Sequence, residues 1–242
     1  RGGKGIIGMT TKEDDFIERV IGVNSHSYLM MFTSQGRVHT RKAYQIPEAS
    51  RTAKGSNIVN LLALSNGEKV TAMISVNEFT EGEYLTMVTK QGVIKKTLLS
   101  EYEYQRKGGK IAINLDEDDE LLFVTKTDGN AQLIIATHGG SAVRFDEAQV
   151  RPMGRTARGV RGINLRDDDY VIGVAQVEDG KKLLTVTENG YGKRTPTSGF
   201  NVQRRGGRGV RGHKISEKTG LLAGIKAVSE EEDVVVISSE GI

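Results

Sequence analysis

Residues 201–212 read NVQRRGGRGVRG, with Arg204, Arg205, Arg208 and Arg211 set among Gly206, Gly207, Gly209 and Gly212 and no acid between them. Alone, such a stretch is a basic loop, and a solvated turn is the default reading. Its recurrence changes that. RGGKG (1–5), RTAKG (51–55), RKGGK (106–110) and RTARG (155–159) align with RRGGRG (204–209). The phase-matched glycines Gly5, Gly55, Gly109, Gly159 and Gly209 lie 50, 54, 50 and 50 residues apart. A second landmark keeps the same beat: TSQG, TKQG, THGG, TENG and SSEG end at Gly36, Gly92, Gly140, Gly190 and Gly241. Two independent landmarks with one period define a repeat protein.

Each unit reads as strands. YLMMFT (28–33), YLTMVT (84–89), QLIIAT (132–137), KLLTVT (182–187) and DVVVIS (233–238) are short apolar runs that end at a turn. Asn189-Gly190 suits a two-residue type I′ hairpin, which needs positive φ at both central positions. Gly82, Gly129 and Gly180 mark a second turn, after KVTAMISV, ELLFVTKT and YVIGVAQV, and a short run such as IAINL or GINL follows each basic loop. About four strands per unit of roughly 50 residues is the size of a propeller blade. Three prolines, 30 glycines and no long 3.6-residue stripe argue against helices. The expected fold is all-β, one repeat domain over 1–242 whose ring hides its strand edges.

Composition narrows the classes. With 37% hydrophobic and 27% charged residues the chain reads as globular, and no apolar run nears the roughly 20 residues of a membrane span. The start, RGGKGIIGMTTKEDD, lacks the apolar core of a secretory signal, and beginning on Arg1 suggests a piece of a longer polypeptide. Zero cysteines removes disulfides, thiolate zinc sites and cysteine nucleophiles, which fits a cytosolic protein. The net charge of +3 understates the local patches. Acids gather in Glu13–Asp15, Asp116–Glu120, Asp167–Asp169 and Glu230–Asp233. Bases gather at Arg51 and Lys54, at Arg106, Lys107 and Lys110, at Arg151, Arg155, Arg158 and Arg161, and in 201–212.

Equivalent loops on a ring of blades form a stepped positive track, with the acidic runs, at another phase, facing elsewhere. Duplex DNA, with about one charge per 1.7 Å of axis, matches such a track. Arginine contacts phosphate in a planar, bidentate way, and glycine lets a loop's own N–H groups approach closely. Nothing resembles a recognition helix, so sequence specificity should be low. Single strands fit less well, because stacking needs aromatics and this chain has 5% aromatic residues and no Trp.

Other signals reduce to background. Gly3–Gly8 and Gly207–Gly212 match G-x-G-x-x-G, but a dinucleotide site needs a βαβ unit around it. Asp167-Asp168-Asp169 has the charge for Mg²⁺, yet its recurrence before apolar strands favours a solvated turn. His26, His39, His138 and His213 share no metal-ligand spacing or fixed phase. Gly190–Thr195 lacks the glycine spacing and G-K-[ST] ending of a phosphate loop.

Gln203-Arg204-Arg205-Gly206-Gly207-Arg208-Gly209 resembles the Q-[KR]-R-G-G-[KR]-G box of the DNA gyrase A C-terminal DNA-wrapping domains, which belong to the type IIA topoisomerases. Arg1-Gly2-Gly3-Lys4-Gly5 resembles the end of another copy. EDDFIERV (13–20), RTAKGSNIVNLL (51–62), VRFDEAQVRPMGRTARGVRGI (143–163) and NGYGKRT (189–195) extend the likeness over nearly the whole chain.

The resemblance implies a β-pinwheel, a propeller-like ring of four-stranded blades that exchange strands, six in the family and with the terminal blade incomplete here. It implies double-stranded DNA wrapped on the basic outer rim and presented for strand passage and negative supercoiling. The DNA-binding residues expected are Gln203, Arg204, Arg205, Gly206, Gly207, Arg208, Gly209 and Arg211, with Arg1, Lys4, Arg51, Lys54, Arg106, Lys107, Lys110, Arg155, Arg158 and Arg161 on the other loops. It implies no catalytic or metal residue in this piece and no cofactor, ATP and Mg being used elsewhere in the holoenzyme. The implied partners are the rest of the gyrase A polypeptide and the gyrase B polypeptide in an A2B2 enzyme. The isolated domain is expected to be monomeric, free of membranes, cytoplasmic and nucleoid-associated. The family keeps its intact box near the domain start, whereas here it stands at the fifth basic loop. The alternatives are the topoisomerase IV homologue, and a chromatin- or protein-binding propeller that uses the same rim on acidic protein.

Overall fold

The apolar runs become the central strands of four antiparallel sheets in a computed structural model that describes residues 27–46, 62–104, 108–211 and 220–229. These are β1 (Tyr28–Thr33), β4 (Tyr84–Thr89), β8 (Gln132–Thr137) and β12 (Lys181–Thr187). Each forms a hairpin with the strand that follows: β2 (Arg37–Lys42), β5 (Val93–Leu98), β9 (Ser141–Asp146) and β13 (Gly192–Pro196). On its other side each pairs with β3 (Val70–Val76), β7 (Leu121–Thr127), β11 (Val171–Gln176) or β15 (Leu222–Ser229).

The fourth strand is borrowed. β6 (Lys110–Ile111), β10 (Val160–Arg161) and β14 (Val210–Arg211) each lie beyond the next hairpin, yet run back to pair with β2, β5 and β9. Strand exchange between blades therefore ties each unit to its neighbour, as a pinwheel requires. Among the described residues the β13–β12–β15 sheet has three strands.

Central strands are largely apolar, with buried threonines among the aliphatic residues, because both of their faces are covered. In β1, Met30 and Phe32 pack with Leu85 and Met87 of the next blade, while Leu29 and Met31 turn to a separate core with Ile46 and Met73. In β8, Leu133 and Ile135 pack with Val88 on one side, and Ile134 and Ala136 with Leu183 on the other. β3 contacts β7, β7 contacts β11 and β11 contacts β15. The borrowed strands occupy the opposite edge of the first three sheets, so the loops that feed them lie on the outer rim.

The hairpin turns differ from the type I′ expectation. Gly190 has φ of +84°, but Asn189 is not among the described non-glycine residues with positive φ. Instead the Gly190 N–H donates to the Thr187 carbonyl at 3.0 Å, and the Tyr191 N–H donates to Thr187 Oγ1 at 3.2 Å. Gly36, Gly92 and Gly140 repeat the backbone bond to Thr33, Thr89 and Thr137, and each threonine hydroxyl again accepts the next amide. The threonine ending each strand makes this a longer turn with one left-handed glycine at its end. The four T-x-x-G sequences are one turn used four times.

Candidate nucleic-acid interface

Along the rim the intact box carries the chain from β13 of the fourth blade back to β14 of the third. The Gln203 N–H donates to the Arg144 carbonyl at 2.6 Å, anchoring the entry. Arg204 then points to solvent, exposed and with no ion pair among the described residues. Arg205 turns inward: Nε donates to the Gln149 carbonyl at 3.1 Å and Nη1 to the Arg161 carbonyl at 2.6 Å. The Gly206 N–H donates to the Gly162 carbonyl, and the Gly207 carbonyl accepts from Asn164 N–H, each at 2.9 Å. Arg208 is exposed again, its carbonyl accepting from Arg166 Nη1 at 3.3 Å.

The preceding loop repeats the arrangement. Arg155 matches Arg205, and its Nη1 donates to the Ile111 carbonyl at 2.6 Å. Arg158 matches Arg208 and keeps 73% of its side chain exposed. Arg161, on β10, is exposed as well. In the loop before that, the Gly108 carbonyl accepts from Arg37 Nη2, and half-buried Lys110 sits 5.8 Å from the centre of the Tyr104 ring. Arg1, Lys4, Arg51, Lys54, Arg106, Lys107 and the side chain of Arg211 lie outside the described residues.

The basic residues therefore divide into two kinds that a shared sequence pattern does not separate. Arg204, Arg208, Arg158 and Arg161 present charge outward, whereas Arg205 and Arg155 fasten one loop to the previous blade. The glycines divide too. Gly159 and Gly209, at φ of +101° and +74°, stand where the loop meets a neighbouring strand, and a Cβ would come within 2.5 Å of the Ile94 carbonyl oxygen and 2.4 Å of that of Ala142. Both are needed at the crossing itself, where any Cβ would collide with the neighbouring strand's backbone. At Gly207 a Cβ would meet nothing nearer than 3.5 Å, so that glycine leaves open space where Gly209 does not.

The acids also correct an expectation. Rather than facing elsewhere, Asp116 places Oδ1 3.3 Å from Arg158 Nη1 across the blade junction. Asp119 and Asp169 act as turn caps: their Oδ1 atoms accept from Gln91 N–H at 2.9 Å and Gly139 N–H at 2.8 Å, tying each run to the preceding hairpin. Among the described residues no three His, Cys, Asp or Glu side chains converge as metal ligands. Gly207 and Gly209 lead into β14 rather than a helix, so the G-x-G-x-x-G match has no dinucleotide setting.

Two buried cations stand behind the loops, with no signal of their burial in the sequence. Lys96 pairs with Glu147 at 3.5 Å, both side chains nearly inaccessible, and Glu147 also accepts from Thr127 Oγ1 and from the amides of Gly129 and Ala131. Lys95, wholly buried, donates from Nζ to the Ala112 carbonyl at 2.5 Å and to the Arg155 carbonyl. It thus supports the loop that carries Arg158. Burial lowers its pKa to about 8, Glu101 opposing that shift and Arg155 adding to it.

An unfolded chain with the ordinary lysine value of 10.5 binds more protons than the folded one between about pH 8 and that value. Wild-type stability relative to Lys95→Met should therefore rise by up to ~1.4 kcal/mol per unit across that window. Urea denaturation at pH 7, 8, 9 and 10 measures it; a pH-independent difference would show that the ammonium is not desolvated. His39 occupies the matching place in the first blade, opposite Met31 as Lys95 is opposite Met87. It is fully buried, neither ring nitrogen has a partner among the described residues, and burial first, then Arg37 and Arg41, lowers its pKa.

The family described as DNA gyrase C-terminal domain, beta-propeller, matches residues 1–24, 27–77, 83–128, 131–178 and 181–229. The DNA gyrase A polypeptide of Halalkalibacterium halodurans is 57% identical over 242 residues, and that of Clostridium acetobutylicum 52%. Both alignments cover 100% of this chain, which spans 29% of those relatives' length. Among solved structures, a DNA gyrase A C-terminal domain superposes with a TM-score of 0.70 at 31% identity, covering 86% of this chain and 68% of that one. The C-terminal domain of DNA topoisomerase IV gives a TM-score of 0.78 at 28% identity, covering 86% and 65%. Fold alone does not separate those two; the sequence identities favour gyrase.

Proposed function

The chain belongs to the DNA gyrase C-terminal domain family, and from that premise we propose that it binds and wraps duplex DNA on its outer rim. The observation that carries this is the equivalence of two loops one repeat apart. Arg158 and Arg208 occupy the same place on successive blades, exposed, with Arg161 and Arg204 beside them. Each loop is held by backbone bonds to the previous blade, so the cations are presented from a stiff support rather than from a mobile tail. Such groups neutralise phosphates without reading bases, which gives binding that falls steeply with salt and depends little on sequence. In the whole enzyme the wrapped segment is presented for strand passage, giving negative supercoiling in the cytoplasm. This domain contributes no bond-breaking group, and ATP and Mg act on other parts of an A2B2 assembly.

The test is the topology of relaxed circular DNA closed by ligase with the protein bound. Wrapping shifts the linking number in proportion to protein. Binding without any shift would refute wrapping and leave contact with a straight duplex. Preferential binding to an acidic protein, with no affinity for DNA, would favour the protein-binding propeller.

A further inference from the structure

Repeat phase uncovers a reversal of charge beside the two best-described basic loops. Asp118 and Asp168, with φ of 62° and 60°, mark the same turn in successive units. Two residues before them stand Asp116 in one unit and Arg166 in the next. Asp116 faces Arg158 at 3.3 Å, the two side chains 56% and 73% exposed. Arg166 does the opposite at the next junction. Its Nη1 donates to Ser141 Oγ at 2.7 Å and to the Arg208 carbonyl at 3.3 Å, which fixes a cation where the earlier unit has an anion.

The setting gives that reversal a consequence. An open groove of about 470 Å³ runs along the first junction, and Asp116, Arg158, Val160, Arg161 and Asn164 line it. A phosphate that approached Arg158 and Arg161 from this groove would meet the Asp116 carboxylate on the same wall. A carboxylate and a phosphate oxygen compete for the same guanidinium donors.

We propose that Asp116 is an internal competitor for phosphate at the 154–161 loop, and that Arg166 holds the 204–209 loop open to it. This rests on the DNA-binding reading above and grades it. An exposed ion pair is weakly held, so Asp116 yields to a duplex but reduces what the contact contributes. At the next step Arg166 adds a cation and supports the loop backbone, so Arg208 meets phosphate uncontested. Successive steps of the rim are therefore unequal: DNA is held firmly at the later loop and released more readily at the earlier one.

The experiment measures duplex affinity against salt in the full-length protein, comparing Asp116→Asn with Glu117→Gln. Glu117 is exposed, lies one residue away and has no ion pair among the described residues, so its replacement makes the same change in net charge. Asp116→Asn should bind roughly two- to five-fold more tightly, the range that an exposed pair commands, with a salt slope steeper by about one. Arg158→Ala added to Asp116→Asn should return both values to wild type. An equal gain in Glu117→Gln, or no gain in Asp116→Asn while wild type still binds DNA, overturns the competition and leaves the DNA reading standing. Wild type failing to bind DNA in a salt-dependent way removes the DNA reading, and the competition with it.

Discussion

Replacing Arg204 and Arg208 together with alanine should weaken duplex binding by about 60-fold near 0.1 M salt and flatten the salt slope by about two. Each phosphate contact in B-DNA releases about 0.9 of a counterion, worth roughly eight-fold at that concentration, and two contacts multiply. The fold should be untouched, because both side chains are exposed and no ion pair among the described residues depends on them. Arg205→Ala is the informative contrast. That guanidinium spends its donors on the carbonyls of Gln149 and Arg161, so its loss should cost about 1–2 kcal/mol of stability and affect DNA through loop position. Urea denaturation and salt titrations of the two variants separate these effects. If the double variant kept wild-type affinity and slope, the box would be a blade fastener and the phosphates would lie elsewhere.

The physical reasons why some features are legible in the sequence and others are not can be read from particular residues. Leu29, Met30, Met31 and Phe32 announce a strand covered on both faces, because no residue in the run is spared for water. The period of 50 follows from landmarks that need no partner to be recognised. Local pair preference at Asn189-Gly190 points to type I′, whereas the Thr187 hydroxyl and carbonyl set a longer turn. Features that depend on strand exchange are hidden altogether. Gly209 answers to Ala142, and Arg205 to Gln149 and Arg161, all contributed by the previous unit. A basic, glycine-rich composition cannot show which arginine is fastened and which is free. The Asp116 and Arg166 contrast is within reach, since repeat phase alone aligns them, but its meaning needs the junction. Lys95 has no such signal: the matching positions hold His39 and Val143, so no residue type repeats there.

Gly209→Ala should be the most damaging single substitution in the box, costing about 2–4 kcal/mol, whereas Gly207→Ala should cost under about 1 kcal/mol. Two penalties coincide at Gly209. Its φ of +74° lies in the left-handed region, which costs an L-residue about 1–2 kcal/mol. Its Cβ would also stand 2.4 Å from the Ala142 carbonyl oxygen and 2.7 Å from that carbonyl carbon. Both atoms are backbone of β9, which is paired with β8 along its other side and cannot retreat as a side chain would. Relief must come from moving the loop outward, and Val210 and Arg211 then lose their pairing with Ala142 and Ser141. The variant should therefore lose its borrowed outer strand before it loses its core. Hydrogen exchange should show new opening along the outer edge of β9 while β8 stays protected. DNA affinity should fall with it, although no cation has been removed, because Arg204 and Arg208 would no longer share one support. Gly207→Ala, with no neighbour within 3.5 Å of the added carbon, keeps that support and isolates any need for close phosphate approach. Equal stability for the two variants would mean that the crossing at Gly209 does not hold the rim together.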